Sequence, residues 1–129
     1  MGVVLVVEDN ALVTGAMRVL LESGGHNVMT AVSVAEAVTR CSEMRPDLML
    51  LDLTLPDGNG LEVLTRVSAP DSLPLITVAL TGHDDPDVRK RCLDAGCRAV
   101  LLKPVAAREL VSAVDSWIAE ARAGAARES

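Results

Sequence analysis

The sequence predicts one α/β domain, a five-stranded parallel sheet with helices on both of its faces. Short apolar runs alternate along the chain with longer segments of helical period, which is the pattern of a strand–helix–strand fold. The runs begin roughly 22 to 27 residues apart, so each interval has room for one helix. With 129 residues, the chain has the length of a single domain that buries a core without metal or disulfide support.

Five apolar runs are the predicted strands. The first, third and fourth are apolar throughout, as expected of strands that are buried on both faces of a parallel sheet. The second begins with His26-Asn27 and is only half apolar, which is typical of an edge strand. The runs cover residues 3–7, 26–31, 48–53, 75–80 and 99–102.

The first two predicted helices have recognisable ends. The first follows the N-capping pair Asp9-Asn10 and ends at Gly24-Gly25. The second begins with the capping box Ser33-Val34-Ala35-Glu36 and cannot continue past Pro46. The residues expected to pack against the sheet are Leu12, Ala16, Val19 and Leu20 in the first helix and Val34, Val38 and Cys41 in the second.

The remaining helices are predicted from periodicity and from Gly and Pro signals. A short helix spans about residues 61–67, a fourth begins at Asp84-Asp85-Pro86 and ends at Gly96, and a fifth begins at about Ala106. We assign residues 1–120 to the domain and residues 121–129, rich in alanine and arginine, to a tail or the start of a linker. The residues expected to pack are Val88, Cys92 and Ala95 in the fourth helix and Leu110, Val114 and Trp117 in the fifth.

Composition argues against several classes of function. Trp117 is the one aromatic residue, so the chain lacks the side chains that stack on bases or on a flavin. The formal net charge of −6 argues against direct nucleic-acid binding by this domain. No apolar run is long enough for membrane insertion, and the N-terminus lacks the charged start of a signal peptide. The three cysteines are not spaced as metal ligands, which indicates reduced thiols in a cytoplasmic protein.

Polar residues collect where the predicted strands end. The first strand is followed by Glu8-Asp9, the third reaches Asp52, the fourth is followed by Thr81 and the fifth by Lys103. Ligands of doubly wound sheets bind beyond the carboxyl ends of the strands, near the point where strand order reverses. In the flavodoxin-like strand order 2-1-3-4-5, the first and third strands are neighbours, so the three acidic side chains come within a few ångströms of one another.

Three carboxylates this close repel one another, and their ionised forms need compensation from Lys103 or from a bound cation. Mg²⁺ fits best because it prefers oxygen ligands and is typically held by one or two carboxylates together with a phosphate. Asp9 and Asp52 would supply carboxylate oxygens, Glu8 would hold a metal-bound water, and the backbone carbonyl of Thr54 would complete the set.

The same cluster predicts phosphoryl chemistry. With a divalent cation beside it, the Asp52 carboxylate is a candidate nucleophile toward phosphorus, as in other aspartyl phosphates. Thr81 would donate its hydroxyl to one phosphoryl oxygen and Lys103 would pair with another, which distributes the charge that phosphoryl transfer develops.

Four motifs carry a resemblance to a known family: Glu8-Asp9, the stretch DLTLPDGNG at 52–60, Thr81-Gly82 and Lys103-Pro104. In this order and spacing, they resemble the CheY-like receiver domain of two-component response regulators, from about Val3 to Ala119. The resemblance implies that Asp52 accepts a phosphoryl group from a sensor histidine kinase or a histidine phosphotransfer protein, with Mg²⁺ required. It also implies a cis peptide bond before Pro104 and no independent enzymatic turnover. Phosphorylation would change the surface around the fourth helix, fifth strand and fifth helix, which binds an output domain or protein.

The chain departs from this family at one position. The family usually has an aromatic residue three positions before the lysine, which turns inward as the threonine hydroxyl moves toward the phosphoryl group. This chain has Val100 there, and it has no Phe or Tyr elsewhere. We expect phosphorylation to be retained, because it uses other atoms, and the relay from Thr81 to differ. An aromatic residue in place of Val100 should change partner affinity more than the phosphorylation rate.

Three other functions remain as alternatives. A phosphohydrolase with an aspartate nucleophile, resembling the haloacid dehalogenases, would have a second aspartate where this chain has Thr54. A flavodoxin-like cofactor binder would have a Gly-rich phosphate loop and aromatic residues, and this chain lacks both. A module of the same fold that binds partners without phosphorylation is opposed by the intact acidic set. The sequence is also compatible with a homodimer formed through the fourth and fifth helices.

Overall fold

A five-stranded parallel sheet is the centre of the fold. The structure is a computed structural model that describes residues 2–67 and 69–128, with side chains up to residue 124. The sheet strands, numbered in chain order, are β1 Val3–Val7, β2 Asn27–Ala31, β3 Leu48–Asp52, β4 Ile76–Thr81 and β5 Ala99–Leu102. Their spatial order is β2-β1-β3-β4-β5, which confirms the predicted order 2-1-3-4-5 and places β2 at an edge.

Among the described residues, five α-helices cover the two faces of this sheet: α1 Ala11–Ser23, α2 Val34–Glu43, α3 Glu62–Arg66, α4 Pro86–Asp94 and α5 Ala107–Glu128. A short 3-10 helix, Pro70–Ser72, precedes β4. Helices α1 and α5 pack on one face, and α2, α3 and α4 pack on the other. The predicted starts of α1, α2 and α4 are confirmed by the side chains of Asn10, Ser33 and Asp85, each of which accepts a backbone N–H of the helix that it caps.

The core is aliphatic and lies in two layers, because alternate residues of each strand point to opposite faces. In β1, Val4 and Val6 pack toward α1 and α5, whereas Leu5 and Val7 pack toward α2 and α3. All five residues of β3 are buried, the four apolar residues 48–51 as predicted and Asp52 at the end of the strand with them. A short antiparallel hairpin, Thr54–Leu55 paired with Gly58–Asn59, follows β3 and leads into α3.

The predicted packing stripe of α1 is wrong. Leu12 and Val19 are 85% and 71% exposed, Ala16 is also exposed, and the buried residues of the helix are Thr14 and Leu21. Apolar residues occur around most of this helix, so periodicity alone does not identify the buried stripe. Burial of Thr14 is tolerated because its hydroxyl donates to the Asn10 carbonyl at 2.7 Å. Of the predicted stripe, Leu20 alone packs against the core.

The predictions for the other helices are largely confirmed. Val34 and Cys41 are buried in α2, and Cys92 is buried in α4, but Ala95 follows the last turn of α4 and is exposed. In α5, the buried residues are Leu110, Val114, Ile118 and Ala121, and Trp117 is partly buried against them.

The predicted boundary at residue 120 stays a prediction. Helical backbone continues through Glu128, and Ala121 still packs in the core. The side chains of residues 125–129, which belong to the predicted tail, lie outside the described set. No helix among the described residues is both long and apolar enough to cross a membrane.

Candidate functional site

The register of β1 and β3 brings the predicted acidic residues together. Val7 pairs with Leu51, so the residues that follow them, Glu8 and Asp52, lie side by side at the carboxyl edge of the sheet. Carboxylate oxygens of Glu8, Asp9 and Asp52 all lie within 4.8 Å of one another. Glu8 and Asp52 are each only 4% exposed, whereas Asp9 is exposed to solvent.

Lys103 supplies the positive charge of this cluster. Its Nζ donates to Asp52 Oδ2 at 2.7 Å and to Glu8 Oε2 at 3.2 Å. The residue is placed there by β5, since its backbone N–H donates to the Thr81 carbonyl at 2.7 Å, and the Lys103-Pro104 peptide bond is cis. Burial disfavours the charged ammonium, but hydrogen bonds and attraction from Asp52 and Glu8 outweigh it and raise the pKa of Lys103.

Burial of Glu8 disfavours the charged form of its carboxyl group. Burial, together with its hydrogen bond to Asp52 and the negative charge there, raises the pKa of Glu8 above its ordinary value. The Asn10 N–H, which donates to Glu8 Oε1 at 3.2 Å, and the Lys103 ammonium act in the opposite direction. The site therefore disfavours the negative charge of Glu8 relative to an ordinary glutamate.

The hairpin after β3 packs tightly against Asp52. The Thr54 N–H donates to Asp52 Oδ1 at 3.0 Å, which places Thr54 beside the carboxylate. The Gly60 N–H donates to the Leu53 carbonyl at 2.9 Å, and a Cβ added at Gly60 would overlap the Asp52 carbonyl oxygen. This position therefore requires glycine because the two backbone segments approach too closely for any side chain.

Thr81 lies at the same edge of the sheet but is not bonded to the acidic cluster. The residue is buried at the end of β4, next to Leu102 of β5. Its Oγ1 accepts a hydrogen bond from the His83 N–H at 3.2 Å. The structure thus brings Glu8, Asp9, Asp52 and Lys103 into contact, with Thr54 and Thr81 beside them.

The donor set is chemically suited to Mg²⁺. Its candidate ligand atoms are the carboxylate oxygens of Glu8, Asp9 and Asp52, and it contains neither the thiolates nor the imidazoles that favour zinc. Within the described part of the chain, no other group of three or more His, Cys, Asp or Glu side chains converges in this way. The residues that would hold a divalent cation at this edge are therefore Glu8, Asp9 and Asp52.

Two features of this region were missed by sequence reasoning. A groove of about 550 Å³ runs from Glu8 and Lys103 along α1, with Leu12 and Ala16 on one wall and Val105 on the other. The exposed side of α1 is thus apolar directly beside the acidic cluster. The second feature is Asp57, whose carboxylate contacts α2; in the sequence its Pro-Asp-Gly context indicates only a turn.

The fold and the acidic edge define the class: a doubly wound, CheY-like flavodoxin fold with an oxygen-rich site where strand order reverses. The response regulator receiver domain family matches residues 4–115. This chain belongs to that family, whose members are modules of two-component signalling.

Individual relatives agree with this assignment over the whole domain. The chain is 33% identical to the polar-differentiation response regulator DivK of Brucella anthropi over 119 residues. This aligned region covers 92% of this chain and 97% of DivK. A putative response regulator from Chloroflexus aurantiacus is 28% identical, covers 92% and 98% of the two chains, and superposes with a TM-score of 0.82. A CheY-like receiver domain protein from Methanospirillum hungatei shares the fold with a TM-score of 0.86. It is 24% identical, and the superposition covers 96% of this chain and 98% of that protein.

Proposed function

We propose that this domain is a phosphorylation switch in which Asp52 accepts a phosphoryl group from a phosphohistidine. The donor is a sensor histidine kinase or a histidine phosphotransfer protein. One observation carries the proposal: a buried carboxylate at the end of β3 is bonded to the Lys103 ammonium and lies within 4.8 Å of two further carboxylates. Such an arrangement is costly for stability alone and is suited to binding a cation and a phosphoryl group.

The transfer step is a displacement at phosphorus. A carboxylate oxygen of Asp52 forms the new O–P bond while the P–N bond of the phosphohistidine breaks, and the electron pair of that bond stays on the imidazole nitrogen. Glu8, Asp9, Asp52 and the Thr54 carbonyl would hold Mg²⁺, which would offset the negative charge of the phosphoryl oxygens.

Lys103 and Thr81 act on the product. Lys103 already contacts Asp52 at 2.7 Å, so its ammonium is within reach of a phosphoryl oxygen attached to that carboxylate. The Thr81 hydroxyl would donate to another phosphoryl oxygen, since its Oγ1 only accepts the His83 N–H and its own proton stays available. Asp52 thus functions as a phosphoacceptor, and we expect no independent turnover of other substrates.

The surface of α1 supports a protein as the donor. The groove beside Glu8 and Lys103 is bounded by the apolar face of α1, where Leu12 and Val19 are 85% and 71% exposed. A donor that packs on this face brings its phosphohistidine to the acidic edge, since both belong to one continuous surface. The buried, free thiols of all three cysteines are consistent with the proposed cytoplasmic location.

The proposed output surface consists of α4, β5 and α5. Leu93 of α4 and Leu102 of β5 are each nearly half exposed there, which supports binding of an output domain or protein, or of a second copy of this chain. Val100 is 8% exposed and packs with Ala79, Cys92 and Cys97. Because this side chain is already buried, we do not expect it to turn inward on phosphorylation as an exposed aromatic residue would. We therefore expect the signal from Thr81 to reach this surface through the backbone of the β4–α4 connection, residues 82–85.

Intact-mass spectrometry tests the phosphoacceptor. Incubation with Mg²⁺ and acetyl phosphate should add about 80 Da to the wild type, and chelation of Mg²⁺ should abolish the addition. Asp52→Asn should remain unlabelled, whereas Asp71→Asn, which removes an exposed acid from the turn at Pro70–Ser72, should label normally. Equal labelling of wild type and Asp52→Asn would refute the assignment.

The same preparation distinguishes the alternatives. Continuous phosphate release from a generic phosphate ester, abolished by Asp52→Asn, would indicate a hydrolase. Failure of the wild type to label, with partner binding retained, would indicate an interaction module that functions without phosphorylation.

A further inference from the structure

The carboxylate of Asp57 joins the hairpin after β3 to the start of α2. Its Oδ1 accepts the Val34 N–H at 2.8 Å, and its Oδ2 accepts the Ala35 N–H at 3.0 Å. The partners are 23 and 22 residues away along the chain, so this is a tertiary contact and not a local turn. Each oxygen has its own donor, which fixes the direction of the carboxylate as well as its position.

The contact completes the N-terminal cap of α2. The first N–H groups of a helix have no partner within the helix. At α2, the Ser33 hydroxyl accepts the Glu36 N–H at 3.1 Å. Asp57 accepts the N–H groups of the first two helical residues, Val34 and Ala35. The same two bonds lower the pKa of Asp57 because they stabilise the charged carboxylate.

The other end of the hairpin is attached to the phosphoacceptor. The Thr54 N–H donates to Asp52 Oδ1, and Gly60 packs against the Asp52 backbone. The hairpin is therefore held at two places, by Asp52 at the sheet edge and by α2 through Asp57. Helix α2 is a firm support because Val34, Ala37 and Cys41 are all buried against the sheet.

We propose that Asp57 is a positioning residue, which holds the hairpin against α2 and thereby keeps Thr54 in place beside Asp52. Asp57 does not touch the acidic cluster and acts only through the backbone of residues 54–59. The part of the proposal that concerns Mg²⁺ affinity rests on the proposed function, because it assigns the Thr54 carbonyl to the ion. The part that concerns hairpin order is independent of any ligand.

Amide hydrogen exchange in the absence of metal tests the hairpin directly. In Asp57→Ala, the Val34 and Ala35 amides should exchange at least about tenfold faster, and so should the Thr54 and Gly60 amides at the far end of the hairpin. Asp57→Asn keeps one carbonyl acceptor and should give an intermediate rate. Ser33→Ala is the matched control: it removes the other cap of α2 and should leave Thr54 and Gly60 at the wild-type rate.

Calorimetric titration with Mg²⁺ tests the consequence for the site. Asp57→Ala should weaken Mg²⁺ binding about tenfold, as expected when a residue that supports a metal ligand is lost, and Ser33→Ala should not. Wild-type exchange at Thr54 and Gly60 in Asp57→Ala would overturn the positioning role whatever the metal does. Faster exchange with unchanged Mg²⁺ affinity would overturn its link to the ion. A wild type that binds no Mg²⁺ would instead count against the proposed function, while the exchange rates would still decide the role of Asp57.

Discussion

Replacement of Lys103 by methionine tests the charge balance of the acidic site. The ammonium bonds to Asp52 at 2.7 Å and to Glu8 at 3.2 Å, and both carboxylates are 4% exposed. The variant leaves these two charges with oxygens within 4.8 Å of each other. At an effective dielectric constant of about 20, unit charges at that distance repel by about 3.5 kcal/mol.

Protonation of Glu8 limits this loss of stability. Protonating an ordinary glutamate at pH 7 costs about 3.7 kcal/mol, and burial and Asp52 already raise the pKa of Glu8, so the cost in this site is smaller. Lys103 is also one-third exposed, so solvent screens part of its attraction. We therefore expect Lys103→Met to lower the free energy of unfolding by about 2 kcal/mol at pH 7.

The loss should depend on pH with a definite sign. A carboxyl group whose pKa is raised in the folded state contributes its full stability below the unfolded pKa and loses it as pH rises through the folded pKa. Lys103→Met raises the pKa of Glu8 further, so its penalty should shrink to about 1 kcal/mol at pH 5.

Urea unfolding, followed by the fluorescence of Trp117, measures both values because this residue packs against the core through α5. Lys90→Met, at the chain's other lysine, is the control; Lys90 is exposed on α4, and its loss should change stability by less than about 0.5 kcal/mol. A Lys103→Met variant as stable as wild type at pH 7, or equally destabilised at pH 5 and pH 7, would refute the reasoning.

Three further predictions follow from the structure. A Leu12→Glu, Val19→Glu double variant should keep its stability and its labelling by acetyl phosphate but lose about tenfold in transfer from a phosphohistidine protein; an equal loss with acetyl phosphate would contradict docking on α1. Gly60→Ala should destabilise by about 1 to 3 kcal/mol in urea titrations, whereas Gly15→Ala, with open space in α1, should stabilise by about 0.5 to 1 kcal/mol. Burial raises the pKa of Cys97 to about 12, so this thiol should react with a disulfide reagent at pH 8 only after unfolding; rapid reaction of the folded protein would contradict its burial.

The strands and the polar residues at their ends were predictable from the sequence because their signals are local. The apolar run at residues 48–51 is typical of a strand with two buried faces. A parallel sheet then brings every strand end to one edge, so Glu8 and Asp52 meet once β1 and β3 are neighbours. Lys103 reaches them from the end of β5 through its long side chain. The cap residues Asn10 and Ser33 were also predictable, because capping depends only on the adjoining turn of the helix.

The orientation of α1 and the role of Asp57 were not predictable in this way. Leu12 and Leu21 are the same residue type in the same helix, yet one is 85% exposed and the other 1% exposed. The choice between them depends on which side of α1 the sheet and α5 cover, and that is a tertiary property. Asp57 likewise finds its donors 22 and 23 residues away, at a helix start whose position relative to the hairpin is set by the packing of α2.

The charge of the site indicates how a phosphoryl group on Asp52 would affect residues outside β3. Glu8, Asp9, Asp52 and Lys103 together carry a formal charge of −2, which one divalent cation balances. Phosphorylation then adds negative charge that Lys103, already shared between two carboxylates, cannot neutralise alone. Thr81 is a neutral donor at the same edge of the sheet, and turning its hydroxyl toward the phosphoryl group would change the geometry of the bond that it accepts from the His83 N–H. Because Val100 is already packed inside the domain, we expect the β4–α4 connection, residues 82–85, to respond to this change.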